Sequence, residues 1–177
     1  MGGLETHLQD LTKALIKSGG YPIVLTYKPI TVSISAKFHE KTEELEIFRI
    51  PWFGGLFYKL VQTPFWEFIY LVPGLFFALP FLLLIKGRDV DVIHSHGLIA
   101  GFPSVFWGKL FGKRVITTTL SIYNFPRDGI YRKFAAWIFG MSDKVLTLSH
   151  QSKIEIEKLG IDKNKVKQFT YWIDLKH

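Results

Sequence analysis

The sequence predicts an α/β protein built on a parallel, doubly wound sheet. Short apolar or β-branched runs alternate with stretches of helical periodicity, and only a few residues separate them. The run Val-Ile-Thr-Thr-Thr at 115–119 is apolar or β-branched on both faces, as a strand buried in such a sheet requires. Glycines at 19–20, 112 and 160 close the helical runs. The 177 residues, 48% hydrophobic and 21% charged, suffice for one domain with a real core and do not fit a disordered tail.

Each element follows from its residues. Residues 4–18 read as a helix, with Leu4, Leu8, Leu11 and Leu15 at helical spacing and Gly19-Gly20 as its stop. Residues 21–27 form a strand, 28–42 a long loop, and 43–50 a second strand that ends at Pro51. Residues 68–85 then carry no charged side chain between Glu67 and Lys86. As one helix this run would reach about 27 Å, just short of a bilayer's hydrocarbon core. Pro73, Gly74 and Pro80 interrupt it, so two short helical pieces are expected, at 64–72 and 75–85. Three readings stay open for this segment: a core helix, a lipid-docking surface and a true span. Trp52, Tyr58, Trp66 and Tyr70 would suit a headgroup boundary.

The second half alternates more regularly. Residues 91–95 form a strand ending in His-Ser-His-Gly, followed by a helix at 98–111 and a strand at 114–119. A helix at 129–139, a strand at 144–148, a helix at 151–159 and a strand at 166–171 complete the chain. A doubly wound domain normally opens with a strand that leads into a glycine loop and a helix. Here Gly2-Gly3 and the helix come first, so the first strand is expected to be missing and sheet edges to be left unpaired.

Composition narrows the chemistry. The absence of cysteine excludes disulfides, thiolate metal sites and thiol nucleophiles, and it favours a reducing compartment. The aromatic share of 16%, the net charge of +7 and a mean hydropathy of +0.19 suggest a membrane surface, a nucleic acid or an anionic ligand. No nucleic-acid-binding signature is present, so nucleic acid is not an expected partner. No basic segment with an apolar core follows Met1, so no secretory leader is expected.

Four segments resemble family 4 glycosyltransferases, in that family's order. The opening Gly-Gly-Leu-Glu-Thr-His-Leu looks like its glycine loop and first helix, and Asp-Val-Ile-His-Ser-His-Gly at 91–97 looks like its strand end. Residues 143–149 and the helix after them resemble a third element, and Tyr-Trp-Ile-Asp at 171–174 resembles the segment leading to a second domain. The likeness is closest to the branch that holds the phosphatidylinositol N-acetylglucosaminyltransferase catalytic subunit. It implies one half of a GT-B fold, in which two Rossmann-like domains face each other across a cleft. It also implies a retaining transfer from a nucleotide-activated sugar. Residues 1–177 would be the acceptor-side domain, ending at the interdomain hinge, with the donor-binding C-terminal domain absent and no turnover by this domain alone. No cofactor is implied, because the nucleotide sugar is a substrate. The expected partners are that donor, held through the second domain, and a lipid or glycan acceptor. The expected location is cytoplasmic, with peripheral contact to a membrane. The alternatives are a non-catalytic membrane-docking module descended from such a domain, or another GT-B enzyme such as a sugar-nucleotide epimerase.

Candidate residues follow. Gly2 and Gly3 at a helix start suit an anion, by unpaired N–H groups and helix dipole. Glu5 is a first-turn carboxylate that either suits the dipole or meets substrate, and His7 is an acceptor contact or a solvent-facing residue. His94 and His96 lie two apart on a strand, on one side of it. With no third ligand at matching spacing, no metal site is expected; His94 reads as packing, and His96 and Gly97 as cleft residues at the strand's carboxyl edge. Family members often carry a histidine after the next strand, thought to contact the reacting sugar; here Thr119 or Leu120 stands in its place, and Thr119 is the substitute hydroxyl. Trp66, Phe76, Phe77 and Leu82, with the basic Arg132 and Lys133, are the membrane-docking candidates. Some of that apolar surface would instead be the face covered by the missing strand and domain.

Overall fold

A computed structural model of the chain describes residues 3–30, 35–54, 63–119, 123, 125 and 128–169, with backbone only for 3–5 and 64. The chain divides into two compact units, Met1–Ala78 and Leu79–His177.

The first unit opens with helix α1, Gly3–Lys17, which stops at Gly19, where φ is +85°. Strand β1, Ile23–Tyr27, runs parallel to β3, Glu46–Ile50, in the register Ile23↔Glu46 to Tyr27↔Ile50. Between them, the predicted loop ends in a short strand β2, His39–Lys41, antiparallel to β3. Three residues, two of them charged, give no alternation to read, so β2 is set by its partner. The Thr42 hydroxyl closes the hairpin by accepting from the Leu45 N–H at 3.0 Å. The buried Glu46 carboxylate is met by His39 Nε2 at 2.8 Å.

Helix α2, Pro64–Lys86, is continuous where two pieces were expected. The reason lies in how the break is bridged. In an unbroken helix the Leu75 N–H would donate to the Leu71 carbonyl. Here the Tyr27 hydroxyl stands between them: it accepts from the Leu75 N–H at 3.0 Å and donates to the Leu71 carbonyl. The Trp52 indole N–H donates to the neighbouring Tyr70 carbonyl at 3.0 Å. A side chain inserted into the ladder is a recognised way for a helix to bend without ending. Gly74 makes room for it, since a Cβ there would lie 2.5 Å from the Tyr27 hydroxyl oxygen. Burial pushes the Tyr27 phenol up to about 12, against the lowering effect of the Leu75 N–H.

In the second unit, a 3-10 turn at Gly87–Asp89 leads into β4, Val92–His96. Then follow α3 (Gly97–Leu110), β5 (Arg114–Thr118), α4 (Ile130–Met141), β6 (Lys144–Thr147), α5 (His150–Glu157) and β7 (Val166–Gln168). The four strands are parallel and lie in chain order, β4-β5-β6-β7. Because crossovers keep one hand, a sheet that grows in one direction receives its helices on one face. Val115 and Val145 point to that face and join Leu98 and Val105 of α3, Ile138 and Phe139 of α4 and Ile156 of α5 in the core. A second layer of hydroxyls runs through it, from Ser95 to Thr117 at 3.1 Å and from Thr117 to Ser142 at 2.8 Å. Asp143 locks α3 to the sheet, accepting from the Val115 N–H at 2.7 Å and Lys109 Nζ at 2.8 Å. Burial opposes its charge, but those two donors prevail and hold its carboxyl below the usual carboxylate range.

Among the described residues no strand precedes α1, and β1 and β4 are each paired along one side only. The architecture is the expected Rossmann-like α/β arrangement, its parallel strands flanked by helices.

Candidate functional site

The carboxyl edge of the four-stranded sheet is built by a junction without a loop. His96 is the last residue of β4, and Gly97 is the first of α3. The chain can turn so sharply because Gly97 adopts φ +78°, which a side chain would oppose. The first N–H groups of α3 therefore open directly at the end of β4. His94 and His96 share one side of the strand, their ring centroids 4.5 Å apart. His94 Nε2 lies 2.6 Å from the Thr118 hydroxyl of β5, in agreement with a packing role.

Thr119 differs from expectation. It is fully buried, and its hydroxyl lies 3.1 Å from the Ser152 hydroxyl of α5. Side chains alternate along β5, so Thr117 and Thr119 face the helices. Thr119 thus ties the sheet to α5 and is not presented to a ligand. Ser149, which sequence reasoning passed over, caps α5 by accepting from the Ser152 N–H at 3.1 Å. Ser149 directly before a helical run was the available signal.

Gly3 and Glu5 lie on the first turns of α1, and His7 is half-buried on the same helix. Burial pushes the His7 imidazole below its ordinary value, and Asp10 partly offsets this. These residues belong to the first unit, whereas His96, Gly97 and Thr119 belong to the second. Gly2 lies outside the described residues, as do Leu120 and the segment 171–174. Among the described residues no three His, Asp or Glu side chains gather as a metal site would need.

The docking candidates divide. Trp66 is exposed, and so is Phe77, at 65%. Phe76 and Leu82 are half-buried and do not belong to the most exposed face. Phe81 at 66%, Leu84 at 71% and Ile85 at 76% are more exposed, and sequence reasoning missed them. Their signal was the spacing 77, 81, 85 along one helical row. By length and composition α2 could cross a membrane, and only 22% of its most apolar stretch is buried, while Val72, Leu79 and Leu83 on it are buried. Lys133 is exposed, whereas Arg132 is half-buried and donates from Nη2 to the Lys158 carbonyl.

A sequence model of the family described as Glycosyltransferase Family 4 matches residues 1–177. The chain belongs to glycosyltransferase family 4. A relative from Arabidopsis thaliana, a subunit of phosphatidylinositol N-acetylglucosaminyltransferase, is 24% identical to this family 4 chain over 157 residues, 86% of the chain and 32% of the relative. The chain therefore spans about a third of that relative's length, at 32%. Among solved structures, a sucrose-phosphate synthase from Thermosynechococcus elongatus superposes with a TM-score of 0.70 at 17% identity, covering 96% of this chain and 86% of the other. Anabaena HepE in complex with UDP and glucose gives 0.58 at 14% identity, covering 98% of this chain and 42% of its own. These likenesses show the fold, a Rossmann-like half of the GT-B type.

Proposed function

We propose that residues 1–177 are the acceptor-side domain of a retaining glycosyltransferase that moves a sugar from a nucleotide-sugar donor to a membrane-associated lipid or glycan. The observation that carries this reading is the family match along the whole chain, joined to the open helix start at His96–Gly97. That junction stands at the carboxyl edge of parallel strands, where such sheets bind ligands. His96 offers a ring nitrogen to an acceptor hydroxyl, and the first N–H groups of α3 favour negative charge. A second Rossmann-like domain would hold most of the donor. Residues 1–177 alone are then expected not to turn over. In the full-length protein with a nucleotide sugar and a lipid acceptor, His96→Ala is expected to lower kcat/KM about tenfold or more, the worth of one hydrogen bond to the reacting partner. Unchanged kinetics would remove His96 from the site.

The exposed face of α2 supports a second element of the reading. Phe77, Phe81, Leu84 and Ile85 form an apolar row, Trp66 lies near one end of the helix, and Lys86 and Arg88 lie at the other. An apolar face bordered by cations and an aromatic suits helix docking in the interface of an anionic membrane. The net charge of +7 acts in the same direction. The protein would then sit at the cytoplasmic face of the membrane, where the acceptor is. Flotation with vesicles of phosphatidylcholine and phosphatidylserine should carry the protein upward, and phosphatidylcholine alone should do so weakly. Phe81→Ser with Leu84→Ser should abolish flotation while leaving circular dichroism unchanged; full flotation by that variant would exclude this face.

A further inference from the structure

Three threonines end β5 and lead out of it, and the middle one faces away from the other two. Thr117 and Thr119 face the helices, where their hydroxyls meet those of Ser142 at 2.8 Å and Ser152 at 3.1 Å. Thr118 is as fully buried as they are, and it stands directly across the ladder from His96. Its hydroxyl lies 2.6 Å from Nε2 of His94, on the histidine side of β4. The His94 ring in turn lies against the His96 ring, with centroids 4.5 Å apart and planes tilted by 31°. A series of contacts therefore runs from Thr118 to His94 to His96. Ser95 takes no part in it, since its side chain points the other way, to the Thr117 hydroxyl.

The orientation of the last ring decides what it can do. Nδ1 of His96 is closed off from solvent. A ligand at the carboxyl edge can therefore reach the ring nitrogens of His96 only through Nε2, and the plane of the ring sets where Nε2 points. The second side-chain torsion of a histidine is broad when nothing restrains it. A flat neighbour at 4.5 Å restrains it, and that neighbour is itself held by a buried hydroxyl.

We infer that His94 and Thr118 are positioning residues for the sugar-transfer step: the Thr118 hydroxyl fixes His94, and His94 fixes the plane of His96, so that Nε2 is aimed at an acceptor hydroxyl before the acceptor arrives. The inference rests on the reading of His96 as an acceptor contact, and it names the residues that aim it. Neither His94 nor Thr118 touches the acceptor. Their effect is geometric, and a displacement of about 1 Å at a reacting group can cost ~100-fold in rate.

The test is steady-state kinetics of the full-length protein with a nucleotide sugar and a lipid acceptor, with the folded fraction of each variant checked by circular dichroism. His94→Ala is expected to lower kcat/KM about tenfold. In a His96→Ala background the same change should add less than about twofold, because nothing is left to aim. Thr118 separates hydroxyl from shape. Thr118→Ser keeps the hydroxyl and loses a methyl, whereas Thr118→Val keeps the volume and loses the hydroxyl. Thr118→Ser should therefore retain activity, and Thr118→Val should lower kcat/KM about threefold or more. Losses that multiply between His94 and His96 overturn the inference, and so does a serine variant less active than the valine variant, which would mark packing alone. If His96→Ala lowers kcat/KM while His94→Ala and Thr118→Val do not, this inference falls and the acceptor reading stands. If His96→Ala itself changes nothing, both fall.

Discussion

Replacing Phe139 with alanine is expected to cost about 3–5 kcal/mol of folding stability. Among the described residues Phe139 is the largest fully buried side chain, at 0% exposure, and it is packed among Ile138, Val145 and Ile156 beneath the four-stranded sheet. Its ring also meets Tyr123, with centroids 6.2 Å apart. Domains of this kind hold only about 5–15 kcal/mol in total, so the variant should sit near the edge of unfolding. Urea denaturation followed by circular dichroism would show a lower midpoint at unchanged slope. A loss under ~1 kcal/mol would mean that the core is looser than these contacts imply.

The second large effect is expected at Gly74. Gly74→Ala places a methyl 2.5 Å from the Tyr27 hydroxyl oxygen and 2.7 Å from its ring carbon. The ring is held from both sides of the helix ladder and cannot simply step back, so overpacking of about 1–3 kcal/mol should result. Tyr27→Ala removes the obstacle at the cost of its own packing. The double variant should therefore be more stable than the two single losses predict, and additive losses would show that the clash is relieved elsewhere. The same phenol gives a pH signature. Tyrosine is an acid, and folding raises it from its ordinary value of ~10 to about 12. Below the lower value both states are protonated and nothing changes. Between the two, the unfolded chain ionises while the folded chain keeps its proton, so stability falls as pH rises through this window. Tyr27→Phe should lack that part of the alkaline loss.

The second half of the chain was more legible than the first, for physical reasons. Around 115–119 β-branched residues are buried on both faces, and at 144–148 Val145 and Thr147 are buried on one, so local preference agrees with tertiary demand. Leu8, Leu11 and Leu15 likewise announced α1. The failures fall where one element depends on a distant one. Pro73-Gly74 is a genuine break, but it is spanned by Tyr27, 48 residues away from Leu75. β2 exists only because β3 lies beside it. The strand-to-helix junction at His96–Gly97 could be read because a strand end and a positive-φ glycine leave a sequence trace. The inward turn of Thr119 left none, since it depends on Ser152.

The chain-order arrangement of β4, β5, β6 and β7 has a consequence for how this unit is made. Each strand joins a partner that has already been synthesised, across a connection of roughly 20 residues, and loop-closure entropy rises by only about 0.6 kcal/mol per doubling of length. No strand must wait for a later one to be inserted between it and its neighbour. The sheet can therefore grow by one strand and one helix at a time as the polypeptide leaves the ribosome, with each addition covering the apolar edge left by the last. Such sequential pairing keeps contact order moderate for a parallel sheet, and it shortens the time during which a bare strand edge is available to another chain.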